Sequence, residues 1–124
     1  MREILWISLG AVAGANARYF VARWVAKLIS ASFPYGTLLI NVSGSFVLGF
    51  FLVWTTERVI ADPRWRLLVA LGFCGSYTTF SSYAFESIAL LGQGYWVDLA
   101  ANMIANNALA LLAVIAGAML ARAL

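Results

Sequence analysis

Polar side chains recur at helical spacing inside stretches that are otherwise apolar, and their types limit the chemistry they can do. Thr37, Asn41 and Ser45 follow one another at intervals of four, which lines them along one face of a helix. Asn102 and Asn106 repeat that interval, with Asn107 on the adjoining face. Between the two stripes lies Gly72-Phe-Cys-Gly-Ser-Tyr-Thr-Thr-Phe-Ser-Ser-Tyr83, where glycine, serine and threonine interrupt an uncharged run. Amides and hydroxyls donate hydrogen bonds without carrying charge, so such a set can replace part of a small ion's hydration and still release it. Phe80 and Tyr83 share a helical face, and the edge of an aromatic ring carries partial positive charge. Each feature also has a plainer reading. Amide pairs and stacked aromatics hold many membrane bundles together, at about 0.6 kcal/mol per interhelical hydrogen bond on average. Two stripes plus a Ser/Thr-rich interruption favour a polar conduit over isolated contacts.

The charge pattern narrows what the conduit would carry. No lysine or arginine lies in the middle of the second, third or fourth apolar segment, and no acid accompanies the asparagines. A cation path calls for Asp or Glu at mid-depth, and the one candidate, Glu86, falls towards the end of the third segment. The lining therefore suits a small anion. With no histidine and a lone Cys74, sites for haem, zinc or copper and an intrachain disulfide are excluded. No nucleophile–base pair or cofactor motif marks an enzyme. The interruption itself has two readings of equal standing. If residues 75–79 leave the helix, their carbonyls lose amide partners and suit a hard monovalent cation, as unwound backbone does in transporters. Alternatively, glycine permits a kink whose freed groups are satisfied by Ser and Thr side chains.

These groups must be positioned by membrane-spanning elements. The chain has 124 residues, 64% apolar and 10% charged, a balance that belongs to membrane proteins. One domain covering 1–124 is expected, with spans at 4–26, 35–55, 66–91 and 97–121. Three uncharged cores, 36–55, 67–85 and 99–121, each match the length of about 20 residues that a crossing helix needs. Arg18 and Arg23 interrupt the first segment. Linkers are short, which predicts antiparallel neighbours in a compact bundle. Asp62 is a predicted N-cap with Pro63 at the first helical position, and Asp98 a predicted cap of the fourth helix. Gly10 with Gly14, and Ser45 with Gly49, have the small-residue spacing that lets backbones approach in lipid. The net charge of +3 sits at segment ends, so it reads as membrane-surface charge and not as a nucleic-acid footprint. Arg2, Arg58, Arg64, Arg66 and Arg122 fall on one side, against Arg18, Arg23 and Lys27 on the other. That bias leans towards termini inside and leaves insertion in both orientations open.

Gly36-Thr-Leu-Leu-Ile-Asn41-Val-Ser-Gly44, followed by Gly72-Phe-Cys-Gly75-Ser-Tyr-Thr78-Thr79-Phe80-Ser81, resembles the small fluoride-specific channels of the Fluc/CrcB type. The leading Gly10-Ala-Val-Ala-Gly14-Ala-Asn-Ala-Arg18-Tyr19 is similar to that family's glycine-rich first helix, and residues 102–114 fit its fourth helix more loosely. The resemblance implies an all-α membrane protein of four transmembrane helices, the third broken mid-membrane, assembled as an antiparallel, dual-topology homodimer. It also implies a structural sodium ion at the dimer centre, not transported, held by the main-chain carbonyls of Gly75 and Thr78. By the same resemblance the pore asparagine is Asn41, the vestibule arginine Arg18 and the first pore phenylalanine Phe80. Tyr83, Thr79, Ser82, Thr37, Ser45, Asn102 and Asn106 complete the expected anion pathway. Two positions depart from the family pattern. Where the family reads Thr-Thr-Phe-Ser-Thr-Phe, this chain has Thr78-Thr-Phe-Ser-Ser-Tyr83, and a hydroxyl position on the fourth helix is Asn106.

The function so implied is passive fluoride efflux from the cytoplasm through a multi-pass protein of the cell membrane. A small multidrug-type, proton-coupled transporter is the alternative, but it requires a carboxylate inside the first helix, which has no acid after Glu3. A non-transporting scaffold subunit would need no aligned polar stripes.

Overall fold

The computed structural model describes residues 1–59 and 61–124. Helix α1 spans Arg2–Leu28, and α2 spans Tyr35–Val53 before widening into a π-helical turn at Trp54–Arg58. Helix α3 covers 63–77, with a long π-helical stretch at Arg66–Cys74 and a tighter last turn at Gly75–Tyr77. Helix α4 is Phe80–Gly92 and α5 is Trp96–Ala123. No strand occurs among the described residues. Three continuous helices, Arg2–Leu28, Tyr35–Arg58 and Trp96–Ala123, are long and apolar enough to cross a membrane. The segment between them is divided, because α3 and α4 are separated at Thr78 and Thr79.

Local chemistry accounts for where the helices begin. Asp62 accepts a hydrogen bond from the Arg64 N–H at 2.9 Å, with Pro63 at the first helical position, so the predicted cap forms. The predicted cap at Asp98 does not. Gly94 takes a left-handed φ of 78°, which turns the chain early and starts α5 at Trp96. Asp98 then lies inside the first turn, where its charge still suits the helix N-terminus, and it accepts a hydrogen bond from Ser32 Oγ.

The closest packing joins parallel helices and not sequence neighbours. Helix α1 lies along α3, and α2 along α5. Ser76 Oγ reaches the Ala11 carbonyl, while Asn41 meets Asn106 and Glu57 meets Arg122, each pair 65 residues apart. A constant offset at both ends of α2 and α5 means that the two run side by side in one direction. Small residues explain the choice of partner. A Cβ at Gly10 would stand 2.0 Å from the Leu68 carbonyl oxygen, and one at Gly14 2.3 Å from that of Phe73. On the other seam a Cβ at Gly49 would meet the Val114 oxygen at 2.3 Å, and one at Gly117 the Phe46 oxygen at 2.2 Å. Backbone touches backbone at both seams, as lipid-embedded helices require when hydrophobicity cannot drive them together. The expected Gly10–Gly14 surface is thus matched to α3. Of the second pair, Gly49 packs on α5, whereas Ser45 faces a cleft.

Bulky apolar side chains such as Phe85, Ile104 and Ile115 are exposed, and the largest fully buried side chains are Ile40, Cys74 and Asn102. An exterior of this kind faces lipid. The interior is small and partly polar.

Candidate functional site

The interruption between α3 and α4 is shorter than residues 75–79. Gly75 keeps helical angles (φ −64°, ψ −28°), and only Thr78 and Thr79 are extended, at φ −75°, ψ 156° and φ −150°, ψ 115°. Asn41 on α2 pairs with both backbone groups of Thr79: its Oδ1 accepts from the Thr79 N–H at 2.8 Å, and its Nδ2 donates to the Thr79 carbonyl at 3.1 Å. One step on, the Ser82 N–H donates to Thr79 Oγ1 at 3.1 Å, capping α4. These two bonds have a consequence upstream. In an unbroken helix the Thr79 N–H would serve the Gly75 carbonyl, and the Ser82 N–H would serve that of Thr78. Both donors are diverted, so the carbonyls of Gly75 and Thr78 accept no hydrogen bond from the described residues. Gly75 is also exposed at its Cα, with no atom closer to a Cβ placed there than the Ala70 oxygen at 3.9 Å.

From Asn41 a single series of hydrogen bonds crosses the interior. Its Nδ2 donates to Asn106 Oδ1 at 3.0 Å, Asn106 Nδ2 to Asn102 Oδ1 at 2.7 Å, and Asn102 Nδ2 to Ser87 Oγ at 3.0 Å. Ser87 Oγ ends the series on the Tyr83 carbonyl at 2.8 Å. The contact with Thr79 fixes which end of the Asn41 amide is nitrogen, and every later donor then points the same way. The series ties α2, α4 and α5 together and keeps Asn102, fully buried, satisfied. It also engages the Asn41 and Asn106 donors. Both Asn41 N–H groups serve protein acceptors, as does the Asn106 amide nitrogen through Asn102 Oδ1 and the Asn102 carbonyl.

Alongside this series is a cleft of about 290 Å³, lined by Asn41, Ser45, Thr78, Thr79, Phe80, Tyr83, Asn106 and Asn107 among others. The Ser45 hydroxyl lines it with no partner among the described residues. Tyr83 is buried, and Phe80 leans on it at 5.3 Å between ring centres while remaining 75% exposed. A chain that leaves a phenylalanine so uncovered beside a polar cleft closes the cleft on one side only. Ser82 Oγ accepts from Thr79 Oγ1 at 3.1 Å.

Of the expected residues, Thr37, Ser82, Asn102 and Arg18 lie outside the cleft lining. Thr37 Oγ1 donates to Glu86 Oε1 at 2.7 Å, and Glu86 Oε2 is buried with no partner among the described residues. Both line a separate cavity of about 240 Å³ beneath residues 31–35. Arg18 is half-buried on α1, one turn beyond Gly14, and forms no ion pair among the described residues. Ser87 and the Thr37–Glu86 contact were not expected from the sequence. Ser87 carried a signal, since Thr79, Tyr83 and Ser87 are spaced by four. Glu86 stood out as an acid near the end of the third segment, but it lies 49 residues from Thr37 and no spacing marked their contact.

Comparison with known proteins agrees with this architecture. A family model described as CrcB-like protein, Camphor Resistance (CrcB), matches residues 5–118. The chain is 60% identical over 124 residues to a protein of Koribacter versatilis (strain Ellin345) named fluoride-specific ion channel FluC, covering 100% of this chain and 98% of that one. Proteins of the same name from Sulfurihydrogenibium sp. (strain YO3AOP1) and Roseiflexus sp. (strain RS-1) are 44% and 43% identical. The match covers 100% of both chains in the first case and 98% of both in the second. A multi-pass membrane protein with a half-enclosed polar cleft at a broken helix, it belongs to the CrcB-like family.

Proposed function

We propose that this chain is a fluoride-selective channel through which fluoride leaves the cytoplasm passively, with no enzymatic step. The observation that carries the reading is the cleft at the break: neutral donors and aromatic edges, no full charge, and one open side. Fluoride is the smallest and strongest hydrogen-bond-accepting halide, so uncharged hydroxyl donors and ring edges favour it without trapping it. Relatives up to 60% identical bear the name of fluoride-specific ion channels, which supports the choice of ion.

The open side calls for a second copy. We infer an antiparallel homodimer of four-span subunits, with the broken segment 63–92 as the third span and two pathways at the interface. Exposed Phe80 would then be covered by the partner. A structural sodium ion fits the carbonyls of Gly75 and Thr78: both are free of hydrogen bonds from the described residues, both are hard oxygen donors, and Gly75 lies at the surface of one subunit. The ion would supply positive charge that holds two subunits together at their breaks.

Fluoride efflux from liposomes holding the purified protein, with chloride as control anion, tests the function. Selective fluoride release is expected. Equal fluoride and chloride release, or none of either, overturns it.

A further inference from the structure

Tyr83 and Asn107 form a pair that the amide series does not include. Asn107 Nδ2 donates to the Met103 carbonyl at 2.7 Å, which identifies that end of the amide as nitrogen, because a carbonyl can only accept. The same nitrogen donates its second N–H to Tyr83 Oη at 3.2 Å. A phenol oxygen that accepts an N–H keeps its own hydrogen for another acceptor, and none of the described residues takes it. The ring cannot swing away to find one. It is only 9% exposed and is covered by Phe80. Both Tyr83 and Asn107 line the cleft beside Ser45.

We propose that the Tyr83 hydroxyl is an anion-donating group of this cleft and that Asn107 is a positioning residue that holds it as a donor. The inference rests on the channel reading above and deepens it. The ligand is a small, hard, singly charged anion, for which an O–H donor is a stronger partner than a ring edge. The neutral amide is essential to the arrangement. A carboxylate at 107 would accept the phenol's hydrogen and take it out of the cleft, while keeping the two side chains bonded.

A double-substitution series tests this by fluoride efflux from liposomes. Tyr83→Phe removes the donor and is expected to slow efflux about fivefold, the rate equivalent of one typical hydrogen bond. Asn107→Asp is expected to slow efflux in the native background by at least that much beyond its effect in the Tyr83→Phe background, where its added charge and the lost donation to the Met103 carbonyl act without the phenol. Should Asn107→Asp fail to assemble, Asn107→Ala replaces it, and its effect must likewise be smaller in the Tyr83→Phe background. Equal effects in both backgrounds, or a Tyr83→Phe protein as fast as the native one, overturn the inference while leaving the channel intact. Absence of efflux from the native protein overturns the channel reading and the inference with it.

Discussion

The side-chain amide of Asn41 and the main chain of Thr79 meet as two strands of a sheet would, each giving one N–H and taking one carbonyl. A backbone that leaves its helix in a membrane must find such partners, and here a residue 38 positions away on another helix supplies them. Asn41 therefore acts first as the clasp of the break. Its place beside the cleft follows from that.

Asn41→Leu removes the clasp and leaves both Thr79 backbone groups and Asn106 Oδ1 without their partner, at about 1–3 kcal/mol for each group that stays dry. Fluoride efflux is expected to fall at least tenfold, with a lowered thermal midpoint and helical circular dichroism largely retained. Native efflux with a native midpoint would remove Asn41 from this role.

Ser87→Ala tests the far end of the amide series. Asn102 would lose the acceptor of its amide in a fully buried position, costing about 1–3 kcal/mol. Thermal unfolding in detergent should register the loss. Efflux should change less than in Asn41→Leu, because Ser87 does not line the cleft. A larger effect on efflux than on stability would reverse that order.

Sodium removal addresses the freed carbonyls. Replacing sodium by a bulky organic cation on both sides of the membrane should abolish efflux and restore it when sodium returns. Undiminished efflux would exclude Gly75 and Thr78 as a sodium site.

The glycines divide sharply. Gly49→Val and Gly117→Val drive a side chain into a facing carbonyl and are expected to prevent a monodisperse preparation, since backbone cannot yield as a side-chain tip can. Gly92→Ala meets nothing within 4 Å and should be neutral or raise stability by roughly 0.5–1 kcal/mol. Size-exclusion profiles and melting curves of the three variants decide the matter.

Periodicity made much of this legible. Residues 37, 41 and 45 could be placed on one face from spacing alone, and the glycine- and threonine-rich run marked where the third segment would divide. What spacing could not give was the partner of each group. One of the two readings of the interruption has residues 75–79 leave the helix and so free the Gly75 carbonyl. Gly75 stays helical, and its carbonyl is freed because Asn41 captures the Thr79 N–H. Short linkers pointed to antiparallel neighbours, yet the closest seams join α1 to α3 and α2 to α5, because small residues on those faces admit another backbone. Asp98 looked like a cap until Gly94 moved the start of α5. In the first two cases the decisive atom lies on a distant part of the chain.

The two glycine seams set more than a distance of approach. With carbonyls seated where side chains would otherwise stand, sliding α5 along α2 by one residue would bring Ala116 or Ala118 towards space that only Gly117 can occupy. The register is locked like a key in its wards. A carrier that alternates its opening between two faces of the membrane needs helices that rock past one another, and these seams oppose that motion. Passage along fixed walls remains, so the rate of ion movement should vary with temperature as gently as diffusion does and not with the steepness of a rearranging protein.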